Sequence, residues 1–186
     1  MDLKIVTPQL DALFKEIRRR INRLQSGGTI DSLISIGANI ENQLGASFVS
    51  LKQLASQYVA EESLALLLWN EQKREEQIVA CFLFPQDLHE EKIKQLCHKC
   101  LNFEIAEYFG SLYLHKHSQL REIAITWLNS DFPFQQIAAL TALSRYLILH
   151  KKDTVISQEF FQNILQREFK HKYVQLLAQR FRYNHE

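Results

Sequence analysis

Turn-forming residues are scarce in this chain, with five glycines and three prolines in 186 residues. A protein of many short strands needs a turn roughly every 8–12 residues, so that shortage excludes a strand-rich sandwich or barrel. Leu, Ala, Gln, Glu and Lys are abundant instead, which favours an all-α protein. No apolar run approaches the roughly 20 residues that a membrane-spanning helix requires. The opening MDLKIVTPQLD also lacks the basic-then-apolar order of a signal peptide, so we expect a cytoplasmic protein with no membrane partner. Cysteine is sparse: three thiols cannot all pair with one another, and reduced thiols suit that compartment.

A hydrophobic content of 46% supports a core of ordinary size, and we expect a single domain over residues 1–186. The formal net charge of +1 does not by itself point to nucleic acid. Its distribution says more. Residues 1–100 carry 12 Lys+Arg against 13 Asp+Glu, and residues 101–186 carry 10 against 8. The tail from Gln166 holds five basic residues (Arg167, Lys170, Lys172, Arg180 and Arg182) against two acidic ones, and Lys15, Arg18, Arg19, Arg20 and Arg23 cluster near the N-terminus. Such clusters can follow a phosphate backbone or can be ordinary solvated helix faces.

Apolar residues recur at three- and four-residue spacing almost throughout, which predicts a series of short amphipathic helices. We place them at residues 8–25, 30–43, 48–58, 61–69, 71–83, 89–100, 103–115, 118–129, 133–150, 157–167 and 170–183, with a joint at Gly27-Gly28. REEQIVACFL and PFQQIAALTA align so that Gln77, Ile78 and Ala80 fall on Gln136, Ile137 and Ala139, an offset of 59 residues. Trp69 and Trp127 precede the two stretches by nearly equal distances. Stacked helix pairs produce such echoes, because each pair buries its apolar faces only against its neighbours. The expected fold is therefore a curved α-solenoid of helical repeats.

Fingerprints of familiar enzymes are missing. There is no G-x-S-x-G, and Gly27-Gly28 is followed by no Lys-Ser or Lys-Thr. Cys97-His98-Lys99-Cys100 has no second Cys-x-x-Cys or His-x-x-x-His to complete a zinc site, and no strand precedes it as a thioredoxin-like unit requires. We expect no metal and no cofactor. What remains is CLNFEIAEYFG, residues 100–110, where Phe103 and Glu107 stand one helical turn apart. Taken alone, Glu107 is the rim residue of an apolar stripe formed by Phe103, Ala106, Phe109 and Tyr113. Gly110 inside a helix costs about 1 kcal/mol relative to Ala, which points to a close backbone approach or to room for something bulky.

Several stretches in order carry a resemblance: Gly45 followed by VSLKQLASQY, then LWN at 68–70 with Arg74-Glu75-x-Gln77, LNFEIAEYFG, and ITWLNSDFPFQQIAALTAL. This set resembles the DNA alkylation repair family, the AlkD-like HEAT-repeat DNA glycosylases, best over residues 40–150. The resemblance implies HEAT-like repeats whose concave basic face grips duplex DNA, damaged or distorted, and whose active members release N3- or N7-alkylated purines without metal. It implies that Phe103 stands where the family has a tryptophan against the lesion's sugar. Glu107 stands for the aspartate that stabilises the sugar cation and directs water. A later backbone-binding arginine falls on Gln136, which keeps hydrogen bonding but not charge. Lys170, Lys172, Arg180 and Arg182 are the remaining candidate DNA contacts. A different reading stays open beside it, a non-catalytic helical-repeat scaffold that binds a protein partner.

Overall fold

The helices begin where a side chain can receive the free amides of a first turn. In the computed structural model, which describes residues 7–35, 41–150 and 158–185, the Thr7 hydroxyl accepts from the Leu10 N–H and Pro8 opens α1 (Pro8–Arg23). Ser47 caps α3 (Phe48–Ala55), and the Glu61 carboxylate accepts from the N–H groups of Ser63 and Leu64 to start α4 (Glu62–Asn70). Between α1 and α3 lies α2 (Gly27–Ser35); α5 (Arg74–Leu83) follows α4. The second part of the chain contains α6 (Glu90–His98), α7 (Phe103–Tyr108), α8 (Leu120–Leu128), α9 (Pro133–Leu149), α10 (Gln158–Gln166) and α11 (Lys172–His185). No strand occurs among the described residues.

Two boundaries differ from the sequence expectation. Gly27-Gly28 opens α2 instead of joining two helices: the first-turn amides need no intrahelical partner, and the Ile30 N–H already reaches the Ser26 carbonyl at 3.1 Å. The expected helix over 71–83 starts only at Arg74, because Gln72 adopts a left-handed φ of 54° and turns the chain between α4 and α5. Of the expected helices 30–43 and 157–167, residues 36–40 and residue 157 lie outside the described residues.

The chain divides into two compact units, Met1–Pro85 and Gln86–Glu186. In the first, α5 packs between α3 and α4, and α1 lies against α4 and α5. Ile17, Ile21, Leu64, Leu68, Trp69, Ile78 and Val79 are its buried centre. The Arg74-Glu75-x-Gln77 motif proves to be a set of joints. The fully buried Glu75 carboxylate accepts from the Leu44 N–H at 3.1 Å and the Ala46 N–H at 3.2 Å. Between those amides Gly45 holds a φ of 72°, which a side chain would disfavour. Arg74 reaches both the Ala46 carbonyl and the Glu75 carboxylate at 3.2 Å, and the Gln77 amide donates to the Trp69 carbonyl at the end of α4.

In the second unit α9 is central, touching α6, α7, α8 and α11. Helices α5, α7 and α9 begin at Arg74, Phe103 and Pro133, so the 59-residue echo spans two helix pairs, not one. Gln136 repeats the duty of Gln77 by donating to the Ser130 carbonyl at 2.6 Å, and Gln175 does the same for Phe169 at the start of α11. The three cysteines are buried and free, and burial pushes the Cys100 thiol upward. Among the described residues no helix is long and apolar enough to cross a membrane, and no group of three or more His, Cys, Asp or Glu is placed to hold a metal ion.

Candidate nucleic-acid interface and carboxylate site

Asn102 starts α7: its side-chain oxygen accepts from the Ile105 N–H at 3.0 Å. Phe103 therefore takes the first helical position, and Glu107 stands one turn further along the same face. The helix then widens into a π-turn over Phe109–Tyr113 and a 3₁₀ turn over Leu114–Lys116, in place of the uniform helix expected for 103–115. Within this turn Gly110 is buried and packed against α9. A Cβ there would collide with the Ala138 carbonyl and the Thr141 hydroxyl. Of the two roles open to Gly110, close backbone approach is the one it has. Wide π-turns inside helices recur at functional sites, and this one begins two residues after Glu107.

Phe103 sits among rings contributed by three helix starts. It stacks on Tyr173 with centroids 5.0 Å apart and 23° between planes, and meets Phe134 and His171 edge-on at 5.3 and 5.0 Å. Phe134 continues to Phe132 at 5.2 Å, and Phe132 to His98 at 4.2 Å, with the last two rings nearly parallel at 7°. The order of the starts explains this meeting. Phe134 lies two residues before Gln136, and Tyr173 two residues before Gln175, so the same repeat register aims both rings at one side.

Glu107 is held by its own protein. The Tyr173 hydroxyl donates to its Oε1, and the Arg180 guanidinium lies 3.6 Å from its Oε2. Burial first, and the bond to Glu107 second, push the Tyr173 phenol up to about 12, so it stays a donor at any physiological pH. The Glu107 side chain is 25% exposed. It opens onto a cleft of about 230 Å³ between the π-turn, α9 and α11, lined also by Ser111, Thr141, Arg145, Arg180 and Asn184. A partly exposed carboxylate beside a small cleft can stabilise a cation that forms next to it, whereas the arginines that line the cleft oppose a cation and suit a phosphate. A larger cleft of about 410 Å³ runs between α8 and α10, but its lining from Arg121 to Arg167 brings no carboxylate or nucleophile together.

The other candidates separate. Lys172 is exposed beside Tyr173, while Lys170, also exposed, reaches Asp131 at 2.8 Å. Arg180 shares the cleft with Glu107. Gln136 is 8% exposed with its amide committed to the Ser130 carbonyl, and Arg182 donates to the Arg167 carbonyl at 2.6 Å, so both hold joints between helices. The N-terminal basic cluster fans out around α1: Lys15 pairs with Asp11, Arg18 with Glu71, and Arg20 with Glu16 and Tyr58. Tyr173, Phe134, Phe132 and His171 are not singled out in the sequence, and His98 is weighed there only within Cys97-His98-Lys99-Cys100. The signal that could have found two of them is the repeated aromatic-x-Gln of Phe134–Gln136 and Tyr173–Gln175.

Residues 17–170 match the profile of the family described as DNA alkylation repair enzyme. A solved structure described as belonging to "a new family of proteins related to the HEAT-like repeat DNA glycosylases with affinity for branched DNA structures" superposes with a TM-score of 0.80. The two sequences are 17% identical, and the match covers 90% of this chain and 73% of the other. The architecture is thus that of the HEAT-like helical repeats. A comparison with curated proteins finds no match.

Proposed function

The chain belongs to the DNA alkylation repair enzyme family, and on that premise we propose that it binds DNA through the face where α7, α9 and α11 begin and uses Glu107 to release alkylated purines. The observation that carries the reading is the Glu107 carboxylate one turn from the half-buried Phe103, open to a cleft that also holds Arg145 and Arg180. Lys170, Lys172 and Arg180 supply cations for backbone phosphates.

In the proposed reaction the purine, already cationic from alkylation at N3 or N7, leaves with the electron pair of its bond to the sugar C1′. The sugar becomes an oxocarbenium ion, which the Glu107 carboxylate stabilises while Phe103 packs against it. Water adds at C1′ and its proton passes to the carboxylate or to solvent. Arg180 competes with that cation for the carboxylate, and the Tyr173 hydroxyl keeps the carboxylate aimed.

A second reading, DNA binding without base release, is favoured by a specific observation: Glu107 is already engaged by Tyr173 and Arg180, and Gln136 brings no positive charge where the family resemblance places an arginine. The affinity for branched DNA described for the similar solved structure supports the binding half of both readings. One experiment separates them. Duplexes carrying N7-methylguanine or N3-methyladenine are incubated with the protein, and free base and binding are measured at two salt concentrations. Base release abolished by Glu107→Gln supports catalysis. Salt-weakened binding without release supports the second reading. Absence of binding at low salt rejects both and leaves a scaffold for a protein partner.

A further inference from the structure

We propose that the row of rings His98, Phe132, Phe134, Phe103 and Tyr173 is a stacking surface for unpaired nucleobases, so that the protein prefers DNA with exposed bases over a fully paired duplex. The inference rests on the DNA-binding reading above and adds which part of the DNA is held.

The row is continuous, with each ring 4.2–5.3 Å from the next. Packing alone does not account for it. Where this unit uses aromatics purely as core, as in the pair Phe109 and Tyr113, they are 0% and 2% exposed. In the row Phe103, Phe132, Phe134 and Tyr173 are only half-buried, and His98 is exposed. An apolar strip left partly open to water marks a surface that something covers.

Charge decides what kind of partner covers it. The strip runs between the starts of α9 and α11, the ends at which a helix dipole favours anions. Lys172 adjoins Tyr173, Lys170 and Asp131 pair with each other at 2.8 Å, and the Glu107 carboxylate is paired with Arg180, so an exposed lysine stands beside the rings. Partly open rings beside an exposed lysine match a strand whose bases are splayed and whose phosphates lie alongside. A fully paired duplex presents no base face to such a row. His98 is the end of the row where a base can be added without displacing a ring: one face of its imidazole lies on Phe132, and the remainder is exposed.

The test compares a paired duplex with the same duplex containing a short gap, with 2-aminopurine at the unpaired position, at one salt concentration. Wild-type protein should bind the gapped DNA more tightly and quench the 2-aminopurine. His98→Ala should lower the ratio of the two affinities about tenfold, because a base–aromatic stack is worth a factor of that order, and His98→Phe should preserve it. His98 is the exposed last residue of α6, so neither change removes core packing. Equal affinity for the two DNAs, or a ratio unmoved by His98→Ala, overturns the inference while leaving DNA binding intact. Failure to bind either DNA overturns the reading beneath it as well.

Discussion

Replacing Glu75 by Gln tests whether the Arg74-Glu75-x-Gln77 motif is architectural. The carboxylate is fully buried and accepts two backbone N–H groups, from Leu44 at 3.1 Å and Ala46 at 3.2 Å, plus Arg74 at 3.2 Å. Glutamine has the same shape but only one acceptor oxygen, so its NH₂ must face a backbone donor. One charge-assisted hydrogen bond is lost, about 1.5–3 kcal/mol, and a buried N–H is left unsatisfied, about 1–3 kcal/mol. Allowing for partial relaxation, we expect a loss of about 3 kcal/mol, or a melting temperature roughly 10 °C lower for a chain of this size. Urea unfolding followed by tryptophan fluorescence and circular dichroism measures it, with Trp69 buried in the same unit as reporter. A double-mutant cycle sharpens the test. Gly45→Ala forces a side chain into the left-handed region at about 1–2 kcal/mol, and it loosens the same loop that Glu75 holds, so the combined loss should fall short of the sum. A Glu75→Gln loss below about 1 kcal/mol, against the 1.5–3 kcal/mol of a single such bond, or strict additivity with Gly45→Ala, would refute the reasoning.

Two further predictions concern the carboxylate site. Gly110→Ala should destabilise the protein by about 1–3 kcal/mol, although alanine is otherwise the better helix former, because the Thr141 hydroxyl can rotate away from the new methyl and the Ala138 carbonyl cannot; a thermal melt that rises or stays level contradicts the close approach. The Tyr173 phenol should ionise near pH 12, against an ordinary value near 10, as followed by phenolate absorbance. Because the folded protein holds that proton more tightly, the associated stability is complete below pH 10 and disappears as pH rises through about 12. In Glu107→Gln the midpoint should fall but remain above the ordinary value, since burial is the larger cause.

The family's ordered motifs were legible before their duties were. Gly45, Arg74, Glu75 and Gln77 stand out in the sequence, yet nothing local says that a carboxylate will meet amides some thirty residues earlier in the chain. Gln136 is similar. Its position in PFQQIAA pointed to a DNA contact because an arginine belongs there by resemblance, whereas its amide lies on the Ser130 carbonyl. The joint at Gly27-Gly28 was misplaced because glycine ends helices and also tolerates their first turn, and the two uses look alike in one dimension.

Helical spacing is a local property, so the sequence by itself determined the all-α class, the paired-helix echo and the placement of Phe103 and Glu107 on one side of α7. Capping by Thr7, Ser47, Glu61 and Asn102 belongs to the same level, because a cap acts within one turn. Only the tertiary structure decided what surrounds that pair. Tyr173 reaches Glu107 across 66 residues of chain, Arg180 comes from one turn pair further on, and Gly110 lets α9 approach closely. Such contacts depend on how three helices stack, and stacking is set by the fit of whole faces rather than by the residues at either end of a contact.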